Sequence, residues 1–491
     1  MKELRNYING QWVEADNAGC LDVENPSTRQ VLGRVPLSTP GEVGRAVAAA
    51  KAAFPAWSGT PVARRCDPLL RLAEKIRDES ETIARMITAE MGKSLPDSRA
   101  EMKRNLENCL VACGMPSLIQ GDNVMNVADG IDGEVIRMPV GVFGMIAPFN
   151  FPAMVPFWFL PYAVASGNTY VLKSSEQVPL TMAMQFEMID RCGFPPGVLN
   201  LVNGDKQAAG ALVEHPDVAG ISFVGSSAVG RAIAERCARL GKRCQAFGSA
   251  KNYLVVMPDA KMDEVVRNML TSCLGCAGQR CMAASAIACV GEQTYHDVVR
   301  RFVAAARAVK VGNPLAPELA DEAMVVGPVI SARARERIEG LIRTGVDEGA
   351  TLALDGRGIR IEGCPGGHFI GPTVLADVRP GMTVEQTEIF GPVIIIMKFD
   401  SLDDAIAAIN SHPYGNGASI YTQNGYYARR FKLQTRAGMI GINIGIPAPV
   451  AYLPFGGMKA SLLADIKCQA KEVIHFFTEK KIVTERYWDE P

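Results

Sequence analysis

Short apolar runs that alternate with helical segments recur along the chain, and this alternation restricts the fold more than any other feature. The predicted strands are 141–147, 169–172, 220–225, 253–257 and 286–290, and the predicted helices are 228–240, 261–274 and 295–309. Strands that alternate with helices form a mostly parallel sheet with helices on both faces. The pattern starts again after Lys251, and 491 residues exceed one ordinary core. We therefore predict an α/β protein with two tandem doubly wound domains.

A helical region and a β-rich tail flank this pattern. Alanines and apolar residues at helical spacing predict helices over residues 46–87, broken at Pro55 and Pro61. Residues 471–486 form a β-rich run at the C-terminal end. Such a strand has to pair with another, often one of a second subunit, so a homodimer or homotetramer is expected.

Charge and cysteine content argue against several classes of function. The 51 lysines and arginines balance 52 acidic residues, so no electrostatic argument favours nucleic acid or an anionic membrane as partner. Thirteen cysteines in so long a chain are not a disulfide framework, and an odd number cannot all pair. Together with a polar N-terminal stretch that does not resemble a signal peptide, this predicts a cytoplasmic protein.

One uncharged stretch, residues 138–172, is long enough to span a bilayer. Five prolines interrupt it, and Asn150 lies near its middle. Repeated prolines break the internal hydrogen bonding that a lipid-exposed segment needs. We predict a buried core and an active-site loop here instead of a membrane span.

Cys281 is the first candidate for chemistry. The small residues before it predict a tight turn, and a helical run after it would place the thiol near a helix N-terminus. There the helix dipole and the charge of Arg280 would favour the thiolate, although a buried structural cysteine explains the same residue. Cys273 and Cys276 form a CxxC nearby. Core packing on one helix is the preferred interpretation, and no metal is expected, because no histidine lies nearby in the sequence.

Two other turns are candidates for binding a nucleotide. Gly225 and Ser226 follow a predicted strand and begin a helix, where backbone N–H groups suit a pyrophosphate. The glycine spacing is GxxxxG and not GxGxxG, so a tight turn explains it equally well. Lys173 and Glu176 end another predicted strand and could hold ribose hydroxyls, but by themselves they favour a solvated loop.

Together these residues resemble the aldehyde dehydrogenase superfamily, nearly from end to end. Pro148-Phe-Asn150 resembles its oxyanion-hole segment, Gly278-Gln-Arg-Cys281 its nucleophile, and the Glu388-Ile-Phe-Gly-Pro segment its nicotinamide-ribose loop. The resemblance implies the aldehyde dehydrogenase fold with a small β oligomerisation arm. The implied segments are a Rossmann-like NAD-binding domain (1–120 and 140–246), a catalytic domain (247–440), the arm (121–139 and 462–491) and a segment that returns to the NAD-binding domain (441–461).

The resemblance also implies a role for each candidate. Cys281 would attack the aldehyde, and Asn150 would donate its amide to the oxyanion, jointly with the backbone N–H of Cys281. NAD would be the cofactor, because a glutamate at the ribose position resembles the NAD-preferring form. The implied cofactor-binding residues are Ala147, Phe149, Lys173, Glu176, Gly225, Ser226, Glu388 and Phe390.

One position departs from the hydrolytic members of the family. Those members carry a glutamate in an E-L-G-G-K segment, which activates the deacylating water, whereas Phe247 occupies that position here. A phenyl ring cannot accept a proton, so hydrolysis loses a general base that is typically worth roughly 10²–10⁴-fold. A thiol such as coenzyme A attacks a thioester with less need of that glutamate. Transfer of the acyl group to coenzyme A is therefore predicted.

The sequence is similar to the CoA-acylating methylmalonate-semialdehyde dehydrogenases, through segments such as 146–156 and 441–449. This similarity implies oxidation of methylmalonate or malonate semialdehyde with decarboxylation, giving propionyl-CoA or acetyl-CoA. It also implies that Arg104 and Arg280 bind the substrate carboxylate, for which a planar guanidinium is suited. For Arg104, an ion pair with Glu101 or Glu107 on the same helix is the alternative.

Two other functions stay open on the sequence. The chain could act on another small acidic aldehyde, by acylation or by hydrolysis with a substitute base. It could also be a non-catalytic relative with a structural or binding role, although the intact pair of Asn150 and Cys281 argues against this.

Overall fold

The computed structural model describes residues 2–16, 19–464 and 466–488. Its helices are α1 (Pro40–Ser58), α2 (Val62–Asp78), α3 (Ser80–Met91), α4 (Leu95–Cys113), α5 (Met115–Leu118), α6 (Leu160–Ala165), α7 (Pro179–Asp190), α8 (Lys206–Glu214), α9 (Ser227–Arg239), α10 (Met262–Leu274), α11 (Glu292–Arg307), α12 (Ala332–Asp347), α13 (Thr383–Gln386), α14 (Leu402–Ser411), α15 (Gly425–Gln434) and α16 (Glu472–Phe477). Two 3₁₀ turns lie at Pro156–Trp158 and Gly275–Gly278.

The strands follow the predicted alternation with the helices. They are β1 (Lys2–Glu3), β2 (Asn6–Ile8), β3 (Gln11–Val13), β4 (Cys20–Glu24), β5 (Val31–Pro36), β6 (Asn123–Ala128), β7 (Ile131–Pro139), β8 (Val142–Ile146), β9 (Thr169–Lys173), β10 (Leu199–Val202), β11 (Val218–Val224), β12 (Arg243–Phe247), β13 (Tyr253–Val256), β14 (Ala286–Val290), β15 (Lys310–Val311), β16 (Val325–Val326), β17 (Thr351–Leu354), β18 (Thr373–Ala376), β19 (Val393–Phe399), β20 (Tyr414–Gly415), β21 (Gly417–Tyr421), β22 (Met439–Ile442), β23 (Met458–Lys459), β24 (Leu462–Leu463) and β25 (Thr478–Glu485).

The first large sheet has the strand order β24-β12-β11-β8-β9-β10-β2-β3. The five strands from β12 to β10 are parallel, and β24, β2 and β3 are antiparallel additions at the two edges. The chain runs from β8 to one side through β9 and β10, then crosses to β11 on the other side. Between β8 and β11 the order reverses, and a crevice at the carboxyl ends of such strands is a common ligand site. We call it the switch-point crevice.

The second large sheet has the order β17-β18-β19-β14-β13-β21-β22. The six strands from β18 to β22 are parallel, and only β17 at the edge is antiparallel to its neighbour. Its strands are buried apolar runs, as parallel strands covered on both faces require. Two doubly wound α/β sheets in tandem confirm the predicted fold class.

The C-terminal strand pairs within its own chain. Strand β25 is antiparallel to β7, which also pairs with β6 to form a three-stranded sheet. The predicted β-run 471–486 is wrong in its first half, which forms helix α16. The ring centroids of Phe476 and Phe477 lie 5.3 and 4.8 Å from that of Phe143. Burial of these two rings against the first sheet therefore determines that the segment is helical.

The helices near the N-terminus differ from the prediction at one proline. The chain breaks at Pro61 as expected, but Pro55 lies inside α1. Pro55 is exposed and lies in the last turn, where its missing N–H removes a single bond and disturbs no packing. None of the described helices is long and apolar enough to cross a membrane.

The predicted domain boundaries stay predictions. Met1, Asn17, Ala18, Asp465 and residues 489–491 fall within the predicted segments but lie outside the described residues.

Candidate active site

Cys281 ends a strained turn between α10 and β14, which we call the Cys281 turn (residues 275–281). Within it Cys276, Ala277 and Gly278 have φ values of 53°, 53° and 70°. Residues with side chains rarely adopt this left-handed conformation, which costs roughly 1–3 kcal/mol each. A Cβ on Gly278 would lie 2.1 Å from the carbonyl oxygen of Gly391. Contacts from outside the turn must therefore hold this conformation.

The helix predicted after Cys281 does not form. The N–H groups of Ala283 and Ala284 bond to the carbonyl oxygens of Arg280 and Ser272, and β14 begins at Ala286. The N–H of Ala284 is therefore bonded to Ser272 at the end of α10, and it is not available for a helix that begins after Cys281. The carbonyl oxygen of Cys281 accepts hydrogen bonds from the side-chain amides of Asn252 and Asn416, at 2.8 and 3.0 Å.

The Cys281 thiol is protonated in the resting protein. Burial, and to a lesser extent the negative charge of Glu388, raise its pKa to about 12. The N–H groups of Cys281 and Met282 and the charge of Arg280 lower the pKa of this thiol, but desolvation outweighs them. No helix follows Cys281 to supply the expected dipole, and desolvation outweighs the charge of Arg280, so the pKa of the thiol is raised and not lowered.

Asn150 lies beside the Cys281 turn, as predicted. It is 5% exposed, and its Nδ2 donates to the carbonyl oxygen of Gln279 at 3.0 Å. Asn150 follows β8 in the first sheet, whereas the turn precedes β14 in the second. The tertiary fold thus joins two segments 131 residues apart in a pair that can present a thiol and an amide donor to one carbonyl.

A buried ion pair fixes the segment that carries Asn150. Lys93 and Glu101 form this pair, and both side chains are fully buried. The Nζ of Lys93 also donates to the carbonyl oxygen of Asn150 at 2.8 Å. Oε1 of Glu101 accepts the N–H groups of Ala153 and Met154, at 2.8 and 2.9 Å. A buried ion pair with its remaining donors and acceptors satisfied holds its neighbours in one arrangement.

A cavity of about 240 Å³ opens beside Cys281, and we call it the Cys281 cavity. Large apolar side chains form most of its wall: Phe151, Met154, Trp158, Ile446 and Phe455. Four charged side chains also line it: Asp97, Glu101, Arg104 and Arg280. A small apolar chamber with a few oriented charges suits a short acyl group that carries one polar end.

Both predicted arginines line this cavity, and each already has a carboxylate partner. Arg280 is paired with Asp97, and Arg104 with Glu107 at 2.6 Å. The Arg104 pair is the same-helix alternative considered from the sequence, and its side chains are 37% and 30% exposed. An exposed pair of this kind is worth little energy, so Arg104 can exchange Glu107 for another anion.

Phe247 occupies the position of the missing general base. It ends β12 and is 4% exposed. Its ring lies 5.7 Å from that of Phe159 and 6.5 Å from that of Phe455, which lines the Cys281 cavity. The position is therefore part of an aromatic cluster, in which a phenyl ring offers no proton acceptor.

The predicted cofactor residues lie along the switch-point crevice and the loop 388–392. The Nζ of Lys173 bonds to Glu176 at 2.7 Å at the end of β9, and the N–H of Ala147 bonds to the carbonyl oxygen of Lys173 at 3.0 Å. Gly225 and Ser226 follow β11 and begin α9. The side chain of Ser226 makes no capping bond to this helix.

Phe149 and Phe390 link the segment after β8 to the loop 388–392, and the charge of Glu388 in that loop acts on Cys281. The rings of Phe149 and Phe390 meet edge to face at 5.8 Å. Oε1 of Glu388 accepts the N–H of Ala250 at 3.0 Å, and burial raises the pKa of this carboxyl to about 7.

These residues fit an adenine dinucleotide. An apolar recess of about 460 Å³ lies between α8 and α9, beside the end of β8. Its wall includes Ile146, Ala209, Val213, Val229 and Ile233. An apolar recess accommodates a flat base, the start of α9 presents N–H groups to a pyrophosphate, and Glu176 offers a carboxylate to ribose hydroxyls.

The two cysteines of the CxxC do not share one helix. Cys273 lies in α10 and its Sγ donates to the carbonyl oxygen of Ala284 at 2.8 Å, whereas Cys276 lies in the left-handed turn. Among the described residues no three potential ligands are placed to hold a metal ion.

Several residues that complete the site are not among the candidates predicted from the sequence. Asn252 and Asn416, whose side-chain amides hold the carbonyl oxygen of Cys281, are two of them. Gln469 lines the Cys281 cavity with a buried Oε1 that has no partner among the described residues. Asp97 and Lys93 carry no local signal, because each acts through a contact made only in the folded chain.

Comparison with known proteins agrees with this geometry. Malonate-semialdehyde dehydrogenase 1 of Geobacillus kaustophilus is 42% identical over 484 residues, which cover 99% of this chain and 98% of that protein. Malonate-semialdehyde dehydrogenase of Pseudomonas aeruginosa is 41% identical, with 99% and 97% covered. A methylmalonate-semialdehyde dehydrogenase from Oceanimonas doudoroffii superposes with a TM-score of 0.96 at 38% identity, with 100% and 99% covered.

Residues 12–483 match the sequence profile of the aldehyde dehydrogenase family. A protein from Sinorhizobium meliloti that is described as a methylmalonate-semialdehyde dehydrogenase, and was solved with NAD, has the same TM-score of 0.96 at 38% identity, with 100% of this chain and 99% of that one covered. The family match and the full-length relatives confirm the resemblance inferred from the motifs. The chain belongs to the aldehyde dehydrogenase family.

Proposed function

We propose that this enzyme oxidises malonate semialdehyde or methylmalonate semialdehyde with NAD and transfers the acyl group to coenzyme A. The observation that carries the proposal is the composition of the Cys281 cavity. A thiol and two arginines line it, and the Asn150 amide lies beside the Cys281 turn, where it bonds to the carbonyl oxygen of Gln279. Phe247, whose ring lies near that of the cavity residue Phe455, occupies the position of the usual hydrolytic base. The names of the full-length relatives support the same substrates.

The first step forms a carbon–sulfur bond at Cys281. The raised pKa keeps the thiol protonated at neutral pH, so its proton passes to water in the Cys281 cavity before attack. As the sulfur adds to the aldehyde carbon, negative charge develops on the carbonyl oxygen. The amide of Asn150 and the N–H of Cys281 stabilise this oxyanion, a contribution that is often the largest single one in such reactions.

Lys173, Glu176 and the start of α9 would hold NAD along the switch-point crevice. NAD supplies the hydride acceptor that converts the hemithioacetal into a thioester. Glu388 and the pair of Phe149 and Phe390 would orient its reactive end.

Decarboxylation and acyl transfer complete the cycle. The electron pair of the bond to the β-carboxylate moves to the α-carbon, CO₂ leaves, and the carbanion takes a proton. The thiolate of coenzyme A then attacks the thioester carbonyl, and the Cys281 thiolate leaves. The products are acetyl-CoA from malonate semialdehyde and propionyl-CoA from methylmalonate semialdehyde. Arg104 and Arg280 bind the carboxylate until it is lost.

Product analysis with and without coenzyme A tests the proposal. We expect acyl-CoA as the main product with coenzyme A present, and turnover of free acid lower by at least about 10²-fold without it. The Cys281→Ser variant, which lacks the thiol, should give neither product. Equal release of free acid without coenzyme A would contradict acyl transfer and indicate a substitute base.

We also propose that the protein is cytoplasmic and assembles as a homodimer or homotetramer. All thirteen cysteines are free. The three-stranded sheet of β25, β7 and β6 leaves Met125 and Ile482 exposed at 74% and 73%. Exposed apolar residues on edge strands favour pairing with a second copy.

A further inference from the structure

Asp97 contacts both ends of the Cys281 turn. Its Oδ2 accepts the N–H of Cys276 at 3.0 Å, and its Oδ1 accepts an N–H of the Arg280 guanidinium. The Arg280 and Asp97 side chains are only 13% and 19% exposed, so solvent screens this pair little. One carboxylate thus connects the residue that precedes the nucleophile with the left-handed residues before it.

The Arg280 guanidinium has a defined place because of these contacts. Its Nε donates to the Sγ of Cys276 at 3.1 Å. A Cβ on Gly275 would lie 2.5 Å from the central carbon of the guanidinium, so the group packs directly over the backbone of the turn. One of its donors bonds inside the turn and another bonds to Asp97, and the others stay available to a substrate anion.

Helix α4 supports Asp97 from behind. The N–H of Asp97 bonds to the side chain of Ser94, which caps the helix. The same helix carries Glu101, which holds the Asn150 segment, and Arg104, which lines the cavity. Residues at positions 97, 101 and 104 share one helical face. A single rigid element therefore places the nucleophile turn, the oxyanion segment and one substrate arginine.

We propose that Asp97 is a positioning residue that holds Arg280 toward the substrate carboxylate and maintains the conformation of the Cys281 turn. The proposal deepens the function given above and rests on it for the identity of the acidic aldehyde. Asp97 itself does not contact the reacting atoms. The two carboxylate oxygens of Asp97 make separate contacts. Oδ1 binds the Arg280 guanidinium, and Oδ2 binds the backbone N–H of Cys276 in the turn.

Two substitutions distinguish the Arg280 contact from the Cys276 contact. Asp97→Asn keeps an oxygen for the N–H of Cys276, but its NH₂ group opposes the guanidinium, so only the Arg280 contact is lost. Asp97→Ala removes both contacts. Asp403→Asn, which breaks a surface ion pair with Arg430, is the matched control. Each variant is assayed on malonate semialdehyde and on the neutral propanal, and alkylation of Cys281 by iodoacetamide is followed by peptide mass spectrometry.

For Asp97→Asn we expect the KM of malonate semialdehyde to rise about 10-fold or more, while kcat/KM for propanal changes less than about 3-fold. Alkylation of Cys281 should stay within about 3-fold of the wild type. For Asp97→Ala, kcat should fall for both aldehydes and alkylation should change by more than about 5-fold, because the turn loses its support. The control should match the wild type in every assay.

Equal losses for both aldehydes in Asp97→Asn would overturn the proposal, and so would a stronger preference for the acidic aldehyde. Equal losses would indicate that Asp97 has a purely structural role. A stronger preference for the acidic aldehyde would indicate that the negative charge of Asp97 only repels the substrate carboxylate. Unchanged alkylation in Asp97→Ala would show that the turn does not depend on Asp97. Failure of the proposed function is recognised separately, because wild-type protein would then show no preference for the acidic aldehyde, whereas the alkylation assay needs no substrate.

Discussion

The two sides of Cys281 hold charge in different ways. On the cavity side, the ion pair Lys93–Glu101 is fully buried, and Lys93 also donates to the carbonyl oxygen of Asn150. The ion pair Asp97–Arg280 is mostly buried, and Asp97 also accepts the N–H of Cys276. On the crevice side, Glu176 is 36% exposed in its pair with Lys173. Burial raises the pKa of Glu388 to about 7.

This difference indicates two uses of charge in one active site. Charges that are satisfied inside the chain fix loops, and removing one partner leaves an uncompensated buried group. A charged group whose ion-pair partner is exposed, such as Lys173 with Glu176, can exchange that partner for a ligand. A carboxyl whose pKa is raised, such as Glu388, can change its charge near neutral pH. Substitutions that release the fixed loops on the cavity side should therefore lower kcat strongly, whereas those on the crevice side should change NAD binding or thiol reactivity more modestly.

The largest effect is expected from Asn150→Ala on the cavity side. Loss of the oxyanion donor should lower kcat by about 10²–10³-fold with little change in KM. Steady-state kinetics with malonate semialdehyde, NAD and coenzyme A measure this. The lost bond to Gln279 should cost only about 1 kcal/mol of unfolding free energy, so thermal unfolding controls for misfolding. A kcat within a few-fold of wild type would show that Asn150 is merely structural.

A smaller effect, confined to the dinucleotide, is expected from Glu176→Gln on the crevice side. A neutral amide accepts ribose hydroxyls less well, so the KM for NAD should rise about 10-fold and discrimination against NADP should weaken. The aldehyde KM should not change. Glu264→Gln removes a similar i,i+3 pair with Arg267 at the surface and serves as the control. An equal effect of both variants would argue against a role for Glu176 in binding NAD.

The smallest effect, and one that depends on pH, is expected from Glu388→Gln. The Glu388 carboxyl has a pKa of about 7, so at pH 8 it is charged and disfavours the Cys281 thiolate. Glutamine removes that charge, lowers the pKa of the thiol and should speed alkylation by iodoacetamide about 3- to 10-fold at pH 8.

Below pH 7 the wild-type carboxyl is protonated, so the two alkylation rates should converge as the pH falls. A rate difference that is constant from pH 6 to pH 9 would show that the charge of Glu388 is not the cause. Such a result would also mean that Glu388 does not illustrate the difference between the cavity side and the crevice side of Cys281.

Much of the fold was predictable because its signals are local. Apolar runs and helical spacing located five strands of the two parallel cores to within a few residues, as at 286–290, but β10, β12, β18, β19, β21 and β22 were not predicted. The errors arose where tertiary packing decides. Residues 472–477 read as strand but form α16, because two phenylalanines pack on the first sheet. The segment after Cys281 looked helical, yet α10 captures a donor from its backbone.

The sequence by itself determined the family, the α/β architecture and which residues are candidates for the chemistry. Spacing and residue type carry that information, including the absence of a carboxylate at Phe247. Only the tertiary structure decided the state of Cys281 and the partners of its neighbours. Burial raises the pKa of the thiol, Asp97 pairs with Arg280 from 183 residues away, and Lys93 reaches Asn150 across 57. Desolvation and long-range pairing depend on which surfaces meet, and no local pattern in the chain encodes that.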